Sequence, residues 1–245
     1  MSYSDFALFY DRLTEDIDYE RLACYFAGLL RRYGKKDGEL LDLACGTGSL
    51  SLPLQKQGFT VTGVDISEEM LTAAALKSTE IHWLKCDMTR LTFKEQFDAA
   101  ICPLDSINHL ADLNDVQKCF DGVYLSLKQG GVFAADLNTP YKHRQVLGNN
   151  AYIFDYEGLY CGWQNELDEN DPLCRVDMFL DFFAENEDGS CTRYSDSLSE
   201  IAPEPEQVVE MLKKSGFRDI ELTEYITGER LTDKSEKFTV IARKG

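Results

Sequence analysis

Apolar positions in the first 35 residues recur at helical spacing. Leu22, Phe26, Leu29 and Leu30 share one face, and the run ends near Gly34 among Arg31, Arg32, Lys35 and Lys36, cations that suit a helix C-terminus. After that, short apolar runs alternate with helix-periodic stretches. Leu40–Ala44 is the first such run, followed by Gly46-Thr47-Gly48 and a helix through Gln57. Phe59–Val64 is the second, ending at Asp65. Ser67 then caps a helix over 68–77, with Glu68 and Glu69 in its first turn. Further strands are expected at Ile81–Lys85, Phe97–Cys102 and Val132–Leu137, with a helix around Asn114–Leu127. Strands interleaved with helices predict an α/β fold, a parallel sheet with helices on both faces.

The pattern changes after Pro140. Between about Tyr152 and Ile201 the chain alternates at period two, with Val176, Met178, Leu180 and Phe182 on one face. A turn at 185–190 lets Ser195–Ile201 pair back as a hairpin. This predicts a small antiparallel β insertion. A helix over 204–215, a Gly216 cap and strands at Phe217–Tyr225 and Glu236–Arg243 complete the chain, the last two as a closing β-hairpin. The organisation expected is one domain over 1–140 and 202–245 with an N-terminal helical cap, interrupted by an insertion over 141–201.

Charge narrows the partners. The net charge is −18, and from Asn150 to Glu206 fifteen acidic residues face two Arg and no Lys. Such a surface repels phosphate backbones, which disfavours nucleic acid and favours a small molecule, a cation or a protein; a plainly solvated surface is the alternative. The eight cysteines contain no C-x-x-C pair, so neither a disulfide framework nor a metal site is expected. The longest apolar runs are too short to span a bilayer, and the acidic N-terminus does not read as a signal peptide, so the expected location is the cytoplasm.

A strand that ends in a glycine-rich turn and opens a helix offers backbone N–H groups to a ligand, and Gly46 and Gly48 let that ligand lie close. Asp65, 17 residues after Gly48, ends the next strand, where an acid can accept both hydroxyls of a ribose. The third glycine of a dinucleotide fingerprint is replaced by Ser51, which counts against a nicotinamide-dependent oxidoreductase.

Leu41-Asp42-Leu43-Ala44-Cys45-Gly46-Thr47-Gly48 resembles motif I of the class I S-adenosylmethionine-dependent methyltransferases. Val61–Ser67 resembles the second motif, Cys86-Asp87-Met88 the third, and Phe97–Cys102 with Leu104–His109 the fourth strand and its active-site loop. The resemblance implies a Rossmann-like seven-stranded sheet and S-adenosylmethionine as cofactor. It implies that Asp65 holds the ribose, that Ile66 packs on adenine, and that Asp87 and the backbone after it meet the adenine edge. Asp42 either contacts the methionine moiety or only caps its strand. Ala44, Cys45, Gly46, Thr47, Gly48, Met70, Cys86, Met88, Cys102 and Leu104 are expected around the cofactor. Phe6–Asp11 and Tyr19 resemble an N-terminal segment that folds over it, bringing Tyr10 and Tyr19 to the methionine end; terminal-helix packing is the other reading. His109 and Asp105 are candidate bases, and Asn108 a candidate substrate-orienting group. Tyr160, Trp163 and Phe183 either line a substrate pocket or form the core of the insertion. The acceptor expected is a small molecule carrying an N or O nucleophile, with RNA, tRNA in particular, as the second class.

Overall fold

A computed structural model describes residues 4–245, the side chains of Ser4 and Asp5 excepted. The first three residues of the expected helical stretch lie outside the described residues. That stretch is two helices, α1 (Ser4–Leu13) and α2 (Tyr19–Arg32), because the Asp18 carboxylate accepts from Arg21 N at 2.9 Å and starts a new helix there. The order continues β1 (Gly38–Leu43), α3 (Ser51–Lys56), β2 (Phe59–Asp65), α4 (Glu68–Lys77), β3 (His82–Lys85), β4 (Phe97–Cys102), α5 (Leu113–Ser126) and β5 (Leu127–Asn138). A helical turn, α6 (Pro140–Lys142), leads through a π-type turn at His143–Leu147 into β6 (Ala151–Tyr156), β7 (Leu159–Leu167), β8 (Val176–Glu185) and β9 (Cys191–Glu200). Then come α7 (Pro205–Ser215), β10 (Phe217–Glu224) and β11 (Lys237–Lys244).

Local chemistry accounts for many of these boundaries. Ser67 Oγ accepts from Met70 N to open α4, Asp112 caps α5, and Glu204 and Gln207 form a reciprocal box at the start of α7. Gly216 ends α7 at φ +107°, where a side chain would be strained. The fifth strand starts earlier than its apolar run, because Leu127 pairs with Phe97 before Gly130 and Gly131 shift the register.

Seven strands form one sheet in the order β10-β11-β5-β4-β1-β2-β3. Neighbours from β5 to β3 run parallel, and the β10–β11 hairpin closes the edge antiparallel to β5. Because β1 lies between β2 and β4, the chain leaves β1 and β4 in opposite directions across the sheet. Such a switch point opens a crevice beyond the carboxyl ends of the strands. Two apolar cores fill the faces of this sheet, one against α5 and α7 and one against α2 and α3.

The second sheet is a four-stranded meander, β6-β7-β8-β9, and every neighbouring pair is antiparallel. Val176, Met178, Leu180 and Phe182 are all buried on one face, as the period-two pattern predicts. They pack with Phe6 and Met70 in a third core. Phe9 stacks on Phe182 at 4.8 Å and meets Tyr194 edge-on at 5.2 Å, so α1 joins the insertion to the main sheet.

Candidate active site

The turn after β1 holds an unusual backbone. Ala44, Gly46 and Gly48 all have positive φ, at +51°, +54° and +74°. At Gly48 a Cβ would lie 2.5 Å from Trp83 Cη2, and that ring is fixed by its Nε1–H donating to Ser78 O at 2.9 Å. Gly48→Ala is therefore expected to cost about 1–3 kcal/mol, from left-handed strain plus overpacking. A thermal melt reads this directly; an unchanged midpoint would show that the Trp83 ring moves aside at no cost.

Asp65 ends β2 beside this turn. Its Oδ2 accepts from Gly46 N and its Oδ1 from Ser67 N, each at 2.9 Å. Burial raises its pKa, and the two N–H donors oppose that rise. Asp42 is buried too. Its Oδ2 accepts from Ser51 Oγ at 2.5 Å, while its Oδ1 has no hydrogen-bond partner. Burial pushes this carboxyl up to about 7, with the Asp65 charge adding and the Ser51 bond opposing. A buried oxygen left unpaired is costly unless a ligand group meets it.

Asp42 shares a small recess with Tyr10, Tyr19, Ala44, Cys45, Thr47 and Leu104. Burial raises the Tyr10 and Tyr19 hydroxyls and the Cys45 thiol above their usual values. The Thr47 hydroxyl is taken by α1: it donates to Asp11 Oδ1 at 2.5 Å, and Lys77 Nζ lies 2.6 Å from Asp11 Oδ2. This clamp holds α1 on the turn and places Tyr10 over Gly46, where a Cβ would be 3.7 Å from Tyr10 Cε1.

A cavity of about 600 Å³ opens from the turn. Gly46, Asp65, Ile66, Met70, Cys86, Asp87 and Met88 line it from the β1–β3 side. Ile66 is 55% exposed there, an apolar surface free to receive a flat ring. Asp87 Oδ1 accepts from both Thr89 N and Thr89 Oγ1. From the other side come Leu104, Asp105, Ser106 and His109 after β4, Asn138 and Lys142 after β5, Lys237 from β11, and Trp163, Met178, Leu198 and Glu200 from the insertion.

The loop after β4 is held from beneath. Leu104 and Asp105 are both left-handed, at φ +55° and +50°, and their N–H groups donate to Asp136 Oδ1 and Oδ2 at 2.8 and 3.0 Å. Lys237 Nζ lies 3.0 Å from both Asp105 Oδ2 and Asp136 Oδ2, over the face of Tyr225. Burial alone would raise Asp105, but the facing Lys237 ammonium outweighs it, with Lys142 and His109 adding. Its carboxyl is held well below the usual carboxylate range. Asp105 thus pairs with Lys237 as a carboxylate that anchors this loop at the edge of the cavity.

Three other expected site residues are placed elsewhere. Cys102 is fully buried in the core of the α5 face and is not among the residues that line this cavity. Asn108 is also fully buried. Its Nδ2 donates to Asn138 O and Ile201 O and its Oδ1 accepts from Asn138 N, so its hydrogen bonds tie β5 to the end of the insertion rather than orienting a substrate. Tyr160 is 39% exposed on the outer face, paired with Phe183 beneath the Arg193 guanidinium. Strand parity explains this: Leu159, Cys161 and Trp163 alternate with it, and of the aromatic trio only Trp163 reaches the cavity. Tyr160 and Phe183 are accordingly neither pocket nor core.

The residues that sequence reasoning missed are Asp136, Lys142, His143, Glu200 and Lys237. Asp136 carried a signal, an acid inside the apolar run Val132–Leu137. Glu200 was hidden among the many acids of the insertion.

Known proteins share the sequence and fold of this chain. Residues 40–131 match a family model described as a methyltransferase domain. A protein of Bacillus subtilis (strain 168) that bears a methyltransferase name is 33% identical over 248 residues, covering 100% of this chain and 98% of its own. The crystal structure of an S-adenosylmethionine-dependent methyltransferase from Clostridium acetobutylicum ATCC 824 superposes with a TM-score of 0.87 at 29% identity, over 99% of each chain. A third relative, from Streptomyces fradiae, is 37% identical over 94 residues, 38% of this chain and 37% of its own. The chain belongs to the class I S-adenosylmethionine-dependent methyltransferases. Its cofactor is S-adenosylmethionine, and its dinucleotide-enzyme reading is set aside. No helix among the described residues is long and apolar enough to cross a membrane.

Proposed function

We propose that this methyltransferase acts on a nitrogen or oxygen nucleophile of a small-molecule acceptor in the cytoplasm. The observation that carries the reading is the cavity itself. About 600 Å³ lies within the range of small-molecule sites, and in it the cofactor motifs meet Asp105, His109, Lys142 and Glu200 beside Trp163, Met178 and Leu198. Residues 141–201 act as the cover that selects the acceptor. The Streptomyces fradiae relative is named a dTDP-3-amino-3,6-dideoxy-α-D-glucopyranose N,N-dimethyltransferase, which supports an amine acceptor. The net charge of −18 opposes RNA.

The cofactor, when bound, supplies an electrophilic methyl group. Asp65 holds its ribose, Ile66 and Met88 flank its adenine, Asp87 meets the adenine edge, and Asp42 with Tyr10 and Tyr19 receives its methionine end. Met70, Cys86 and the backbone of 44–48 complete that wall. Leu104 lies between cofactor and acceptor. Asp105, paired with Lys237, anchors the loop beside the acceptor, Trp163 packs on the acceptor, and His109 accepts the proton that the acceptor gives up. Orientation within the cavity contributes most of the acceleration.

The protein should convert S-adenosylmethionine to S-adenosylhomocysteine when offered a panel of amino sugars, amino acids and hydroxylated small molecules, with bulk tRNA alongside. Turnover on tRNA alone would overturn the small-molecule reading. A second measurement addresses Asp42. Its carboxyl stands at about 7, and a methionine ammonium requires it ionised. Affinity for S-adenosylhomocysteine should therefore fall by up to about tenfold per pH unit below 7. Asp42→Asn should flatten that limb, and a limb that persists in the variant would move its origin elsewhere. Without ligand the sign is opposite: the native chain takes up a proton between about pH 4 and 7, so this group favours folding at the acid end.

A further inference from the structure

Glu200, the last residue of β9, is buried and joins two histidines. Its Oε2 lies 3.1 Å from His143 Nε2 and accepts from Asn138 Nδ2 at 2.9 Å, while its Oε1 lies 3.5 Å from His109 Nε2. His143 is fully buried, and its Nδ1 is 2.7 Å from the Cys174 carbonyl oxygen. A carbonyl only accepts, so Nδ1 of His143 carries a hydrogen. Its Nε2 would then set a lone pair against the lone pairs of Glu200 Oε2 at hydrogen-bond distance, unless a second hydrogen lies between them. On the other side His109 Nδ1 is buried with no hydrogen-bond partner.

We propose that Glu200 and His143 are positioning residues: they hold a proton between them and fix His109 as its Nε2–H tautomer, leaving Nδ1 as the nitrogen that takes the acceptor's proton. The inference rests on His109 acting as the base, as proposed above. In the proton step the acceptor's N–H or O–H bond breaks and its electron pair stays on the acceptor atom. The proton forms a bond to the Nδ1 lone pair, and the resulting imidazolium faces the Glu200 carboxylate. Other charged groups pack on the trio from several elements. Asp105 faces it from the loop after β4, Lys237 neutralises Asp105 from β11, and Lys142 of α6 donates to Asn138 Oδ1 at 2.9 Å. Glu200 itself is driven upward by burial, but its bond to His143 and the nearby His109 outweigh that and hold it low. These surroundings favour a carboxylate at Glu200, with the hydrogens on the two rings.

The chain has three histidines, His82, His109 and His143, so ring-nitrogen NMR on the full protein labelled with ¹⁵N-histidine resolves each one without any acceptor. At neutral pH, His109 should carry its hydrogen on Nε2 alone and His143 on both nitrogens, with exposed His82 as the internal reference. A Nδ1–H tautomer at His109, or a single hydrogen on His143, overturns the proposal in the wild-type spectrum. In Glu200→Gln, His143 should lose one hydrogen and His109 should populate both tautomers, and Glu200→Asp should restore the wild-type pattern. Once an acceptor is in hand, Glu200→Gln should lower kcat at least tenfold and shift the acid limb of the pH profile, with the KM for S-adenosylmethionine unchanged. If His109→Ala leaves kcat unchanged, the base reading fails while the tautomer assignment stands. If His109→Ala abolishes turnover but Glu200→Gln leaves the pH profile alone, the positioning role fails by itself.

Discussion

Lys237→Met is expected to destabilise the protein by about 3–5 kcal/mol at neutral pH, the usual result of removing one partner from a buried ion pair. The ammonium stands 3.0 Å from one oxygen each of Asp105 and Asp136, and the Asp136 side chain is fully buried. Asp136 cannot turn away to find water, because both its oxygens hold the N–H groups of the left-handed pair Leu104 and Asp105. Two carboxylates would be left facing each other with nothing between them. Burial, and then the charge of Asp105, already press Asp136 upward against the pull of Lys237. In the variant both carboxyls would have raised folded-state values, so the native state would bind extra protons as pH falls. The deficit should shrink toward pH 5, and Asp105→Asn in the same chain should recover part of it. Urea denaturation at two pH values checks all three statements. A loss of under about 1 kcal/mol at neutral pH would show that the two acids already share a proton and do not need Lys237.

Asp65→Ala should weaken S-adenosylhomocysteine binding at least a hundredfold, about 3 kcal/mol, as measured by calorimetry. One carboxylate does two jobs at this position. It holds the glycine turn through Gly46 N and the start of α4 through Ser67 N, and it faces the cavity with its remaining lone pairs. The substitution therefore removes the proposed ribose acceptor and also frees the glycine turn that Asp65 holds. Asp65→Asn keeps one acceptor oxygen and should fall between the two. Melting curves without ligand separate the contributions, since loss of the two N–H acceptors lowers the midpoint even in the free protein. Unchanged affinity in Asp65→Ala would remove Asp65 from the cofactor site.

The element order was legible because its signals are local. Ser67 as a cap, Glu68 and Glu69 after it, and Lys77 at the far end define α4 within a dozen residues, and the structure has that helix over Glu68–Lys77. Phe97–Cys102 likewise reads as a strand from its own apolar run. The wall of the cavity on the β1–β3 side was legible for the same reason. Ala44–Gly48, Asp65–Ile66 and Cys86–Met88 each sit at the end of a recognisable strand, and parallel topology brings those ends to one crevice. The opposite side of the cavity was not legible. Tyr160 and Trp163 are three residues apart in one strand, so the pleat sends them to opposite faces, and only the packing of the sheet says which face is inside.

By itself, then, the sequence determines the parallel α/β order, the glycine turn, the antiparallel insertion and the acid that ends β2, because periodicity, caps and tight turns depend on neighbours in the chain. The tertiary structure decided which charges meet. Lys237 reaches Asp105 and Asp136 only through the pairing of β11 with β5, and Glu200 reaches His143, 57 residues away, only because the insertion folds back over the loop after β4. A buried charge is tolerable only when its partner is in place, and that pairing depends on register between distant strands, a quantity no local window contains.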